Sequence, residues 1–98
     1  MPSVSDPASV PTSFRLYQNY PNPFNGTTNI GFRISDFGFV SLKVYDVLGR
    51  EVATLVNEVR QPGSYEVGFD GNVLASGMYF YRLEAGANVE TRKMILTK

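Results

Sequence analysis

The sequence predicts an all-β fold of two packed antiparallel sheets, and three features of the chain lead to this prediction. From Phe14 onward, short stretches rich in Val, Ile, Phe and Tyr recur at intervals of about ten residues. Gly, Pro, Asn and Asp, the residues that turns prefer, separate these stretches. No helical apolar period competes convincingly with them. At 98 residues, the chain has the length of one domain.

The first thirteen residues differ in composition from the rest of the chain. Residues 1–13 contain three prolines, four serines and few large apolar groups, which is typical of an extended linker. The folded domain is therefore predicted to span residues 14–98. A peptidase reaches a linker more readily than a folded strand, so we expect any processing cut to fall within residues 1–13.

The first half of the domain contains the clearest strand patterns. A short first strand is predicted near Phe14 to Tyr17. In TTNIGFRI and in FVSLKVYD, apolar side chains recur with a period of two, as a half-buried strand requires. The predicted core positions of these two strands are Ile30, Phe32, Ile34, Val40, Leu42 and Val44.

A hairpin is predicted to follow. The turn DVLGRE contains Gly49, which can adopt a positive φ. The returning stretch, REVATLV, alternates less regularly because Val52, Leu55 and Val56 do not share one face. We therefore expect a β-bulge or an edge position for this strand.

The second half of the domain is predicted to contain three more strands. After the turn Gln61-Pro62-Gly63, SYEVGFD places Tyr65, Val67 and Phe69 on one face, and GMYFYRLEAG does the same with Tyr79, Tyr81 and Leu83. A turn over residues 85–88 leads into VETRKMILTK, which we expect to run extended to Lys98. The total of about seven strands favours an immunoglobulin-like antiparallel β-sandwich.

Composition excludes several functions. Nine basic residues balance nine acidic ones, so no net charge favours nucleic acid. Cysteine and histidine are absent, which removes disulfides, thiolate nucleophiles, imidazole bases and most transition-metal sites. The carboxylates show no pairing for acid–base chemistry or calcium binding; examples are Asp36, Asp46, Asp70 and Glu84. We expect no catalytic residues, metal, cofactor or small-molecule substrate.

Four segments resemble one family. They are LYQNYPNPFNGTTNIGF, VYDVLGREVATL, LASGMYFYRL and RKMILTK, and their order and spacing also agree. Together they resemble the type A C-terminal sorting domain of the type IX (Por) secretion system. This family is related to the immunoglobulin-like domain of flagellar hook-capping proteins.

The resemblance implies a role in export. Such domains end secreted proteins of certain Gram-negative bacteria, which cross the periplasm and reach the cell surface or the medium. The implied partners are the covalently attached N-terminal cargo, the outer-membrane translocon and its sorting peptidase. The start of this chain lacks the basic and apolar regions of a signal peptide, so that signal is expected elsewhere on a longer precursor.

The residues that the resemblance marks also have structural explanations. In the Pro-rich loop, Tyr20 and Phe24 are expected to cover one end of the sandwich. Tyr79 is expected to form a tyrosine corner, and the basic residues near the C-terminus are equally explained as solvated edge charges. The candidate sorting-signal residues are Pro21, Asn22, Pro23, Phe24, Asn25, Gly77, Tyr79, Arg92, Lys93 and Lys98.

Two other functions stay open. Exposed aromatic rings on a sandwich can stack on sugars, so the domain could be a carbohydrate-binding accessory module of a secreted hydrolase. Most of the thirteen aromatic residues, however, are predicted to be core residues, and tryptophan is absent. The domain could also be a structural spacer or capping domain, in which case further folded sequence could follow Lys98.

Overall fold

The computed structural model of the protein describes residues 14–98, so the predicted linker of residues 1–13 lies outside the described residues. Seven strands follow one another without an intervening helix in this part of the chain. They are β1 (Arg15–Leu16), β2 (Thr27–Ile34), β3 (Gly38–Tyr45), β4 (Glu51–Arg60), β5 (Gly63–Asp70), β6 (Gly77–Ala85) and β7 (Asn88–Leu96).

The strands form two antiparallel sheets. One sheet has the order β1-β2-β5, and the other has the order β4-β3-β6-β7. The chain therefore changes sheets between β2 and β3, between β4 and β5, and again between β5 and β6. This arrangement confirms the predicted immunoglobulin-like β-sandwich. In the larger sheet, β4 and β7 are the two edge strands.

The core lies between the sheets and follows the predicted alternation. The six side chains predicted for β2 and β3 are all at most 2% exposed. In β6 and β7 the inward side chains are Tyr79, Tyr81, Leu83, Met94 and Leu96. Burying a large apolar side chain contributes roughly 1.5–3 kcal/mol, so these alternating positions account for most of the stabilisation of the sandwich.

The hairpin between β3 and β4 has the predicted form. Gly49 has a φ of 84°, and the Asp46 Oδ1 atom accepts hydrogen bonds from the backbone N–H groups of Leu48 and Arg50 at 2.9 and 3.0 Å. The hydrogen bonds from Arg50 and Leu48 lower the pKa of the Asp46 carboxyl. Strand β4 is both an edge strand and irregular, since its register shifts twice against β3. Both expectations for β4 are confirmed.

One expectation about the end of the chain is wrong. The last strand ends at Leu96, so Thr97 and Lys98 lie beyond the ladder. A narrow majority of the thirteen aromatic residues belong to the core, as expected: five are buried (Phe24, Phe32, Phe69, Tyr79 and Tyr81), and Phe14 and Tyr65 are partly buried and pack against them. Phe37 lies in a turn, and Phe39 lies on the outward face of β3, where alternation places every second side chain in solvent.

Candidate functional site

The loop that follows β1 lies along the outer edge of β7. Phe24 forms a parallel bridge with Leu96. The Phe24 N–H group donates to the carbonyl of Ile95 at 2.9 Å, and the Thr97 N–H group donates to the carbonyl of Phe24 at 2.8 Å. The Pro-rich loop therefore supplies backbone partners to the C-terminal part of an edge strand.

Side chains of the same loop extend this contact. Ile95 donates its N–H group to the Asn22 Oδ1 atom at 2.9 Å, and the Gln18 Nε2 atom donates to the Lys93 carbonyl at 2.9 Å. We call this set of contacts the edge seam. It joins Gln18, Asn22 and Phe24 on one side to Lys93, Ile95, Leu96 and Thr97 on the other.

The Phe24 side chain fixes the loop in the core. It is 1% exposed and meets the ring of Phe69 edge to face, with the ring centroids 6.1 Å apart. Gly71 allows this close packing, because a Cβ atom there would lie 3.2 Å from Phe24 Cε2 and 3.1 Å from Leu96 Cδ2. The sequence analysis did not single out Gly71, since a glycine next to a turn has no pattern that reveals a close approach.

Tyr20 does not cover the end of the sandwich, and that expectation is wrong. Its side chain is 79% exposed. The backbone of Tyr20 pairs with Asn29 through two hydrogen bonds of 2.9 Å, and residues opposite each other in an antiparallel pair point to the same face. Because Asn29 lies on the outward face of β2, Tyr20 also points outward.

A buried polar network holds the start of the loop. The Tyr81 hydroxyl donates to the Tyr17 carbonyl and accepts from the Asn19 N–H group, both at 2.8 Å. The Asn19 side chain, only 2% exposed, donates to the Thr28 hydroxyl at 3.0 Å, which donates to the Pro21 carbonyl at 2.8 Å. Burial raises the pKa of Tyr81, so its hydroxyl remains protonated and able to donate. The sequence analysis predicted Tyr81 as a core residue and missed this polar role.

The predicted tyrosine corner is present. The Tyr79 hydroxyl donates to the carbonyl of Ala75 at 2.6 Å, four residues upstream, in the connection that crosses from β5 to β6. Tyr79 also lies opposite Met94 in the ladder, and Gly77 lies opposite Leu96. Both residues are therefore neighbours of the terminal strand.

The three basic candidates differ in their contacts. The Arg92 Nε atom donates to the Leu16 carbonyl at 2.6 Å, and its guanidinium lies 3.5 Å from the Glu90 carboxylate, so Arg92 connects β7 to β1. The Lys98 Nζ atom donates to the Asn72 carbonyl at 2.7 Å. The Lys93 side chain is exposed. The side chains of Pro21, Pro23 and Asn25 are exposed as well.

The opposite end of the sandwich contains a cavity. It has a volume of about 330 Å³, and its lining includes Phe14, Asp36, Phe37, Phe39 and Asn88. Within residues 14–98, no three potential metal-ligating side chains come together. The same part of the chain contains no helix of sufficient length and apolarity to cross a membrane.

The fold and the edge seam define an immunoglobulin-like β-sandwich whose terminal strand is closed along part of its free edge by a Pro-rich loop. Residues 18–97 match the family described as the secretion system C-terminal sorting domain, and the chain belongs to this family. The resemblance seen in the sequence is thereby confirmed. The protein that carries this domain is a secreted protein. No curated protein gives a significant match to the chain.

Proposed function

We propose that this domain directs the protein attached ahead of it through the outer-membrane type IX translocon to the cell surface or the medium. The attached protein crosses the periplasm, and the translocon with its sorting peptidase recognises the folded domain. The recognised surface consists of the edge seam, the start of β6 at Gly77 to Tyr79 and the end of β7. The domain has no catalytic role in this process.

The convergence of distant segments supports this proposal. The loop Asn19–Asn25, the strand start at Gly77 to Tyr79 and the terminal residues Arg92 to Lys98 are far apart in sequence. The sandwich brings all three to one edge and one end of the larger sheet. A recognition protein could therefore identify this combination only in a folded domain. Secretion then depends on correct folding of the domain.

Replacement of one basic residue tests the proposal. A reporter protein fused ahead of the domain is secreted by a host that has the type IX system, and the whole domain is required for this. Lys93→Gln is expected to leave the reporter in the periplasm, because the exposed ammonium group contacts the recognition protein rather than the rest of the domain. The melting temperature should barely change, since surface exchanges typically alter stability by no more than about 0.5 kcal/mol. Cell fractionation and thermal denaturation measure the two effects.

Two further variants control the experiment. Arg15→Gln removes an exposed cation from the other sheet and should be secreted normally. Arg92→Gln removes the hydrogen bond to the Leu16 carbonyl, so a secretion defect there must be judged against its stability loss of about 1–3 kcal/mol. Secretion of the Lys93 variant at the parental level would assign recognition to Gly77, Tyr79 or the Asn22 to Asn25 loop instead.

One observation favours the alternative of carbohydrate binding. The cavity at the opposite end combines the exposed rings of Phe37 and Phe39 with the polar groups of Asp36 and Asn88, a combination that suits a sugar. Calorimetry with plant or bacterial polysaccharides distinguishes the two functions. Saturable binding that Phe37→Ala abolishes, with secretion unchanged, would favour an accessory sugar-binding module.

A further inference from the structure

We propose that β7 accepts an extended strand of a partner protein along the part of its outer edge between Val89 and Lys93. This inference rests on the proposed function, because the partner is a component of the export machinery. The incoming strand pairs through its backbone, beside the region where the edge seam already covers β7.

The backbone alternation identifies the groups that are available. In an antiparallel ladder, successive residues direct their N–H and C=O groups to opposite sides of the strand. Lys93 and Ile95 use their outer groups in the edge seam, so Val89 and Thr91 also direct theirs outward. Among residues 14–98, the outer N–H and C=O groups of Val89 and Thr91 and the N–H group of Lys93 have no hydrogen-bond partner.

Strand β7 has neither a bulge nor a proline, so only charged residues protect its edge: the exposed Lys93, and Glu90 and Arg92, which contact Leu16 and each other. Edge strands commonly avoid pairing through bulges, prolines or inward-pointing charges. Strand β4, at the other edge of the same sheet, has two register shifts against its neighbour. Strand β7 pairs with β6 over nine successive positions with no shift, and it contains no proline. The Val89 side chain is 57% exposed beside this straight edge.

The edge seam shows that β7 can accept a partner in the plane of the sheet. Phe24 already forms a bridge there with Leu96, next to the open positions. Glu90 and Arg92 instead contact Leu16 of β1, which belongs to the opposite sheet. A strand in the plane of the larger sheet would lie beside Val89, Thr91 and Lys93. Opposite charges and β-branched pairs are favourable across strands, so a segment with a β-branched residue and an acidic residue fits best.

A proline at Thr91 tests the proposal. The Thr91 N–H group points away from β6, so Thr91→Pro keeps the β6–β7 ladder and removes only the outer donor. The domain should fold, and secretion of the fused reporter should fall about tenfold, as the loss of one hydrogen bond with an added clash predicts. Thr91→Val is the matched control, since it changes the side chain and keeps the donor. That variant should retain most of the secretion that Thr91→Pro loses.

Two more variants keep the test decisive if the proline disturbs folding. Val89→Pro removes an outer donor at the start of the strand, and Val89→Glu with Thr91→Glu retains every backbone group while adding charges that repel an acidic segment. Circular dichroism and thermal melting establish which variants are folded. If a folded proline variant is secreted at the parental level, the proposal is overturned. If neither proline variant folds, parental secretion of the double glutamate variant overturns it. Because the parental domain must still be secreted in the same host, such a result leaves the proposed function intact.

Discussion

Replacing Phe24 with alanine is expected to lower the free energy of unfolding by about 3–5 kcal/mol, the usual cost of truncating a buried phenylalanine. The ring is 1% exposed, contacts Phe69, and lies close to Gly71 and Leu96. A domain of this size is stable by only about 5–15 kcal/mol, so a loss of this size is a substantial fraction of the total. Urea denaturation followed by circular dichroism measures the change.

The same loop provides a control for this experiment. Tyr20→Ala removes an aromatic ring of similar size that is 79% exposed, and it should change the free energy of unfolding by no more than about 0.5 kcal/mol. Each ring is adjacent to a proline of the same loop. The comparison therefore distinguishes the effect of burial from any effect of the local sequence. Equal losses in the two variants would contradict the placement of Phe24 in the core.

The sequence predicted the strands because alternation is a local property. Ile30, Phe32 and Ile34 recur with a period of two, and a residue's face within a strand depends only on that parity. The bulged edge strand β4 was predictable for the same reason, since an interrupted alternation is visible in Val52, Leu55 and Val56. These parts of the fold required no knowledge of distant contacts.

The loop residues were harder to predict because the loop has no period. Tyr20 and Phe24 are both aromatic residues within the same Pro-rich segment, and no pattern in that segment distinguishes the exposed ring from the buried one. The distinction depends on pairing: Tyr20 lies opposite Asn29 on an outward face, whereas Phe24 lies beside Leu96. The order of the strands decides this, and periodicity contains no information about that order.

The hydrogen bonds of the candidate site could not be predicted from the sequence either. Arg92 donates to a carbonyl that is 76 residues away in sequence, and Gln18 donates to one that is 75 residues away. The resemblance indicated which segments matter for the family, but it did not indicate that Arg92 connects two sheets while Lys93 stays exposed. Lys93 is therefore replaced alone, because replacing Arg92 with it would also lower stability through the lost hydrogen bond to Leu16.

Strand β7 depends on two neighbours, and this dependence explains why changes near the C-terminus combine folding with recognition. On one side it pairs with β6 over nine positions, and on the other it pairs with the Pro-rich loop. Removal of the strand therefore releases Phe24 as well as the edge of β6. A loss of secretion after such a change cannot by itself identify a recognition residue.

Deletion of residues Lys93 to Lys98 is expected to abolish cooperative folding. It removes Met94 and Leu96, which are at most 1% exposed, and each loss should cost about 2–5 kcal/mol. The inward residue of the pair Ile95 and Leu96 is Leu96, so the deletion acts on the core through that side chain. It also leaves N–H and C=O groups of β6 without partners. Near-ultraviolet circular dichroism and the thermal transition should both be lost.

Two comparisons identify the cause of that loss. Deletion of Lys98 alone removes only the hydrogen bond to the Asn72 carbonyl, from a residue beyond the ladder, and it should leave a cooperative transition close to the parental one. The full-length variant with Met94→Ala and Leu96→Ala removes the buried side chains and keeps the backbone of β7, so it should lose most of the stability without exposing β6. A cooperative transition in the truncated domain would mean that β7 lies outside the cooperative core. Secretion defects after truncation could then be attributed to recognition alone.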